Sequence, residues 1–438
     1  MELKNCDQKI DNRLLVIFII MIIALGGAIE GFNSHSLRFN NLWNLIIPVI
    51  SIYYLYVVRI KLGSILPLIV ALVIVLIWQI ALYYKFDGYN VLAGRIYDVL
   101  FAFIIIRTLG IKKFFFYIET SVVKLTRISL FLWIIIVILP SIRDLLSLYS
   151  LPIYSVNTCG GTWGFWGFAS KLREGEGVII RNIGFAWEPG RFSSILVITF
   201  LIHLFRNRFM LFKKYFWVLL LGILSTQSTT GYLTFGVCLY GLFMNNNGKR
   251  YKKALSYGIL GGFIGLFLLA PFMLDKIKYV FSEESFIQQG AANWFIEQGK
   301  VYVPQRWEGL YLEFMNIQDS PWIGYGDDKS YSYVRNVLFP KLDIRLSNGL
   351  LQIIAMMGIP LGLLLYFCLY KSSIYISNLY NVKGRLLIFI AVCTINISYN
   401  FFLEPIFVAI TLYCLFRPKS DRIYIQSNII NSGRRFEC

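Results

Sequence analysis

The stretch LGSILPLIVALVIVLIWQIALY, residues 62–83, contains no charged side chain. A run of about 20 mostly apolar residues is what a helix needs to cross the hydrocarbon core of a bilayer. Working outward in both directions, about twelve comparable runs can be read. They lie near 14–29, 42–58, 62–83, 94–110, 128–142, 192–205, 214–228, 229–244, 254–273, 348–370, 386–401 and 403–416. The first is not a cleaved signal peptide, because Ile29-Glu30-Gly31 makes a poor small-residue cleavage site. The span at 94–110 carries Arg95 and Asp98, two charges that a membrane helix must account for.

Composition says the same of the whole chain. Its 438 residues are 57% hydrophobic and 15% charged, with a mean hydropathy of +0.63. Soluble domains are about half apolar and a quarter charged. This balance excludes a soluble globular enzyme and a disordered chain. The expected fold is an all-α polytopic membrane protein, with residues 1–438 as a single integral membrane domain. The seven cysteines show no CxxC spacing and lie mostly in apolar runs, so neither a disulfide framework nor a metal site is expected.

The net charge of +18 invites a nucleic-acid reading, which the placement of the charges dismisses. With the N-terminus in the cytoplasm and the spans alternating, the inner segments take most of the basic residues. They include Arg59 and Lys61, then Lys112, Lys113, Lys124 and Arg127, then Arg206, Arg208, Lys213 and Lys214, and later Lys371, Lys383 and Arg385. This is the positive-inside pattern, and it places both termini in the cytoplasm. The basic charge therefore serves topology and attraction to membrane lipids, with no nucleic acid as partner.

The outer side holds two large extracytoplasmic loops, 143–191 and 274–347. Both mix aromatics, glycines and charges, and long loops on a rigid scaffold tend to carry function. The first ends Arg181-Asn182-Ile183-Gly184-Phe185-Ala186-Trp187-Glu188-Pro189-Gly190-Arg191-Phe192. Pro189 suits the first turn of the helix that follows, which puts Glu188 where the helix dipole favours a carboxylate. One reading makes Glu188 a capping residue with Arg181 and Arg191 as its partners. The other brings Arg181, Arg191 and Glu188 together at the outer interface. There the arginines grip a diphosphate and the carboxylate positions or deprotonates a hydroxyl. Upstream, the glycine and aromatic alternation from Gly160 to Phe168 reads as interfacial anchoring by Trp, with stacking on a sugar as the alternative.

In the second loop Trp307, Leu310, Tyr311 and Phe314 recur at helical spacing after Arg306, which describes an amphipathic helix on the bilayer surface. Pro321, Gly324 and Gly326 break it. Asp327-Asp328 reads as a solvated acidic turn before a divalent-ion site. Arg345-Leu346-Ser347-Asn348-Gly349 then leads into the next span, where Gly358 and Gly362, four apart, suggest close helix packing, as do Gly261 and Gly265.

These residues carry a resemblance. The pattern R-x-x-G-F-x-x-E-P-G-x-F from Arg181 to Phe192 resembles the signature opening the core of the O-antigen ligase/polymerase superfamily. Arg306 with Pro321-Trp322-Ile323-Gly324-Tyr325-Gly326 is similar to its R…P-h-h-G-h-G loop. Ser347 through Gly358 resembles its H-N-x-x-L-Q…G helix start, and Ser225 to Gly231 stands at its polar helix break. The resemblance spans roughly 180–370. It implies a GT-C-like architecture and a glycosyltransferase at the outer face of the bacterial inner membrane. The substrate it implies is an undecaprenyl-diphosphate-linked oligosaccharide, taken without metal, nucleotide or other cofactor. Ligases of this family have a His where this chain has Ser347. The two histidines here, His35 and His203, read as structural. The resemblance thus points to the polymerase branch (Wzy class), making O-antigen or capsular polysaccharide, with a chain-length regulator as a candidate partner. The ligase and a lipid-linked oligosaccharide flippase are the alternatives; the long outer loops and the lack of an internal repeat speak against the flippase. The expected catalytic residues are Glu188, Arg181 and Arg306. Arg191, Arg345, Asn348 and Ser347 are the expected substrate contacts.

Overall fold

A computed structural model describes residues 11–26, 65–86, 92–139, 141–142, 162–165, 168–172, 180–245, 257, 304, 306–326, 329–340, 344, 346, 348–418 and 421. The expected span 42–58, and 254–273 apart from Tyr257, lie outside these residues, as do Gly261, Gly265 and His35. The described chain is mostly helical. Helices long and apolar enough to cross a membrane cover Leu66–Lys85, Arg95–Ile138 and Gly349–Tyr380. In chain order the helices are α1 (Asn12–Gly26), α2 (Leu66–Phe86), α3 (Leu92–Ile138), α4 (Pro189–Arg206), α5 (Phe216–Thr226) and α6 (Thr229–Asn245). They continue with α7 (Arg306–Asp319), α8 (Gly349–Tyr380), α9 (Leu387–Asn396), α10 (Pro405–Thr411) and α11 (Tyr413–Phe416). On α2, Leu66, Ile69, Val73, Ile77 and Ile80 are all exposed. Such an apolar face suits lipid, not water.

Two compact units form. One comprises Met1–Leu42, Lys112–His203 and Phe212–Gln227; the other Trp43–Ile111, Leu204–Leu211 and Ser228–Cys438. The chain leaves the second unit for the first just after Gly110, where α3 kinks at φ 64°, ψ 164°.

Three features depart from the sequence reading. Residues 111–127, expected as a basic inner loop, continue α3 as helix. Lys112, Lys113, Lys124 and Arg127 are exposed while Phe114, Phe115, Ile118 and Val122 are buried. The basic residues decorate one side of a helix whose other side packs. The first outer loop, expected within an all-α fold, holds an antiparallel sheet of β1 (Thr162–Phe165), β2 (Phe168–Leu172) and β3 (Ile180–Gly184) in the order β1-β2-β3. Phe165 pairs with Phe168 and Lys171 with Arg181. Aromatic residues favour strands, and Trp163 and Phe165 fall in β1 and Phe168 in β2.

The third departure is Gly358. Expected to let helices pack, it breaks α8 at φ 78°, ψ 162°. Pro360 follows and has no N–H to give Met356. The loop after α7 supplies what is missing. Gly326 N donates to Met356 O at 2.9 Å and Tyr325 N to Ala355 O at 3.0 Å, while Ile359 N donates to Pro321 O at 2.7 Å. The chains approach so closely that a Cβ on Gly324 (φ 77°) would lie 2.2 Å from Met356 O, and one on Gly358 2.2 Å from Trp322 O. Helix α2 joins this latch. Trp78 Nε1 donates to Ile323 O at 2.9 Å and Lys85 Nζ to Ser320 Oγ.

Helix α7 forms where the spacing predicts it. Tyr311 and Phe314 are exposed, whereas Glu308, Leu312, Glu313 and Asn316 are buried. Leu312 builds a small core with Val334 and Ile344. Asn316 ties this core to the backbone: its Oδ1 accepts from Val334 N at 3.0 Å and its Nδ2 donates to Glu313 at 3.1 Å.

Candidate functional site

The Arg181–Phe192 segment is built from the end of β3 and the start of α4. Pro189 is the first residue of α4, and Phe192 N donates to Glu188 O at 3.2 Å. Glu188 is therefore the N-cap residue of α4, half-buried. Gly184 turns the chain from strand to helix at φ 61°, and any Cβ there would lie 2.5 Å from the Phe192 ring. Only glycine fits both demands.

The two arginines of this segment hold helix ends. Arg181 donates from Nε to Thr226 O and from Nη2 to Gln227 O, both at 3.1 Å. Those carbonyls close α5, where Gln227 sits in the left-handed region at φ 48°. Arg191 is buried and donates from Nε to Leu25 O at 2.7 Å, at the last turn of α1. A helix C-terminus leaves carbonyls without intrahelical donors and carries negative partial charge. A guanidinium satisfies both needs at once. The arginine motif and the Ser/Thr-rich break, separate in sequence, thus touch through Arg181.

Asn182, which the sequence reading passed over, ties this region together. Its Oδ1 accepts from Ser129 Oγ at 2.7 Å and Gly184 N at 2.9 Å, and its Nδ2 donates to Ser225 Oγ at 3.0 Å. It is 1% exposed. The signal that marks it is an asparagine in a strand just ahead of an apolar helix start. Replacing it strands three buried partners. Asn182→Ala is expected to destabilise the protein by about 2–4 kcal/mol, seen as a lower thermal midpoint in detergent; the near-isosteric Asn182→Asp loses the donor to Ser225 and adds a carboxylate to a buried site, so it lowers the midpoint as well.

The remaining site residues fall in the other unit. Arg306 is the first residue of α7, but its side chain lies outside the described residues, as do Arg345, Ser347, Asp327 and Asp328. Asn348 is fully buried and caps α8. Its Oδ1 accepts from Leu350 N at 3.1 Å and Leu351 N at 3.2 Å. The side chain expected to hold a sugar thus spends its oxygen on the helix, and its buried Nδ2 lacks a hydrogen-bond partner among the described residues. Asn348→Ala is expected to cost about 1 kcal/mol of stability, with Asn348→Asp restoring it; differential scanning of the purified variants checks this. Gly349 beside it lies against Tyr399 and Asn400, and Asn400 Nδ2 donates to Gln352 Oε1 at 3.1 Å.

His203 is 1% exposed and its Nδ1 lies 2.6 Å from Glu119 Oε1. Among the described residues no group of three or more His, Cys, Asp or Glu side chains is placed to hold a metal ion.

Residues 215–367 match the model of a family described as O-Antigen ligase. The matched segment contains the Ser/Thr-rich break, Arg306, the latch loop and Ser347 through Gly358, so the resemblance to the O-antigen ligase/polymerase superfamily holds there. No curated protein matches the chain.

Proposed function

With residues 215–367 matching the O-Antigen ligase family, we propose that the protein is a polysaccharide polymerase of the outer face of the bacterial inner membrane. It joins undecaprenyl-diphosphate-linked oligosaccharide repeat units into O-antigen or capsular polysaccharide. The acceptor hydroxyl of one repeat unit attacks the anomeric carbon of another. The anomeric C–O bond to the diphosphate breaks, undecaprenyl diphosphate leaves with the electron pair, and the hydroxyl proton passes to Glu188. Negative charge grows on the departing diphosphate, and guanidiniums already fixed in place stabilise it without reorganising at the moment of reaction. Arg181 and Arg191, held by their carbonyl bonds, are suited to that task. Arg306, Arg345 and Ser347 of the second loop are the further proposed substrate contacts, while Asn348, buried as the cap of α8, holds the start of that helix.

The observation favouring polymerase over ligase is the serine at position 347. Ser347 stands where the resembled ligases have His, and His203 is sealed against Glu119. A general base needs reach to its proton, and a 1%-exposed imidazole has none. The ligase reading keeps one specific support, the description of the matched family. A deletion strain separates them. Lipid-linked single repeats without a ladder mean polymerase; a full ladder that stays on undecaprenyl diphosphate and never reaches a final acceptor means ligase.

A further inference from the structure

The loop that latches the broken α8 is bonded to two apolar helices well inside their ends. On α2, Lys85 reaches Ser320 and Trp78 reaches Ile323. Lys85 is the first charged residue after the uncharged run, and Tyr83 and Tyr84 before it are exposed. Tyrosine and lysine at such a place mark the membrane–water interface. Trp78 lies seven residues back along the helix. That is about 10 Å of the roughly 15 Å that each leaflet contributes to the hydrocarbon core. The depth on α8 agrees. Met356, whose carbonyl accepts from Gly326 N, is seven residues past Gly349 at the start of α8, again about 10 Å in. Irregular backbone is tolerated at that depth only where the protein itself satisfies its polar groups. Besides its bonds to α2 and α8, this loop closes on itself: Gly324 N donates to Ser320 O at 3.0 Å and Ser320 Oγ to Gly324 O at 2.7 Å. Of residues 321–326 only Trp322 is exposed, at 76%. At the level of Trp78, α2 exposes Ile77 and Ile80 in the same way.

We propose that the Pro321–Gly326 loop is a re-entrant element, seated in the leaflet that holds the Lys85 end of α2, with the Trp322 ring against lipid. The partner is membrane phospholipid: acyl chains along the ring, and the ester and headgroup region at its N–H. An indole, apolar with one donor, suits that divided environment. The surface adjoins the apolar face of α2. The loop follows directly on α7 and is bonded to α8, so the leaflet that takes it sets the height of both helices against the bilayer. The inference stands on the depth of the loop and is independent of the reaction the protein performs.

The test uses the full-length protein in nanodiscs and reads Trp322 as the difference in tryptophan emission between the wild type and Trp322→Phe. Phosphatidylcholine brominated on its acyl chains is expected to quench that difference strongly, and aqueous iodide weakly. Quenching by iodide alone puts the loop in water and overturns the proposal. Quenching by neither, which would mean that protein covers the ring, overturns it as well. A charge supplies the second readout. Trp322→Asp sets a carboxylate at lipid depth and is expected to shift the folding equilibrium in bicelles, read by detergent titration, about tenfold or more toward the unfolded state. Val337→Asp is the control. Val337 is 59% exposed but stands between Arg335 and Lys341, and its variant is expected to stay within about twofold of the wild type. Equal shifts in the two variants overturn the proposal.

Discussion

Gly358→Ala is expected to be among the most destabilising single substitutions in the chain. A non-glycine residue at φ 78° costs roughly 1–3 kcal/mol by itself. Its Cβ would also stand 2.2 Å from Trp322 O, so the loop must leave or the helix must straighten. Straightening does not help, because Pro360 still offers Met356 no donor, and the amides of Tyr325 and Gly326 would lose their carbonyls. A loss of about 4 kcal/mol or more follows. Gly324→Ala meets Met356 O at the same distance and should behave alike. Gly309→Ala is the control, since the nearest atom to a Cβ there is 3.9 Å away and alanine favours the helix. Thermal scanning of the three purified variants in one detergent checks this. A Gly358→Ala protein that melts no earlier than the Gly309→Ala protein would show that the latch does not form.

The second large effect is at Arg181, where stability and chemistry are separable. Arg181→Ala removes the donors to Thr226 O and Gln227 O. Stranding half-buried carbonyls costs about 1–3 kcal/mol each where water does not reach them. If the guanidinium also stabilises the leaving diphosphate, turnover falls by a further 10²–10³, or about 2.7–4 kcal/mol of barrier, by analogy with lost oxyanion-hole donors. Arg181→Lys keeps the charge but cannot fork to two carbonyls, so it should lose stability like the alanine variant while retaining more turnover. The measurements are thermal midpoint and glycosidic-bond formation per molecule of folded protein. Normal turnover per folded Arg181→Ala molecule would reduce this arginine to a helix cap and remove it from the diphosphate clamp.

The division between what was legible and what was not follows from range. The long apolar runs were readable because dehydrating a helix of that length is decided by its own residues. Hence α2, α4, α5, α6 and α8 stand close to the predicted spans, and α7 appears at the spacing of Trp307, Leu310, Tyr311 and Phe314. The Gly358-Ile359-Pro360 sequence did contain a sign of the kink, but reading Gly358 with Gly362 as a packing pair hid it. Strand pairing in the first outer loop was harder, since Lys171 and Arg181 pair although separated along the chain.

Sequence by itself determined a membrane-spanning helical chain, its basic segments, and the motif pieces that resemble a glycan-transferring family, because hydropathy, charge and residue order are properties of the chain alone. Only the tertiary structure decided what those pieces touch. It bound Arg181 to the end of α5 and Arg191 to the end of α1, sealed His203 against Glu119, and joined the Pro321–Gly326 loop to the broken α8. The reason is that an unpaired carbonyl or carboxylate in a low-dielectric interior must find a donor wherever the fold supplies one, and that donor comes from residues distant in the chain.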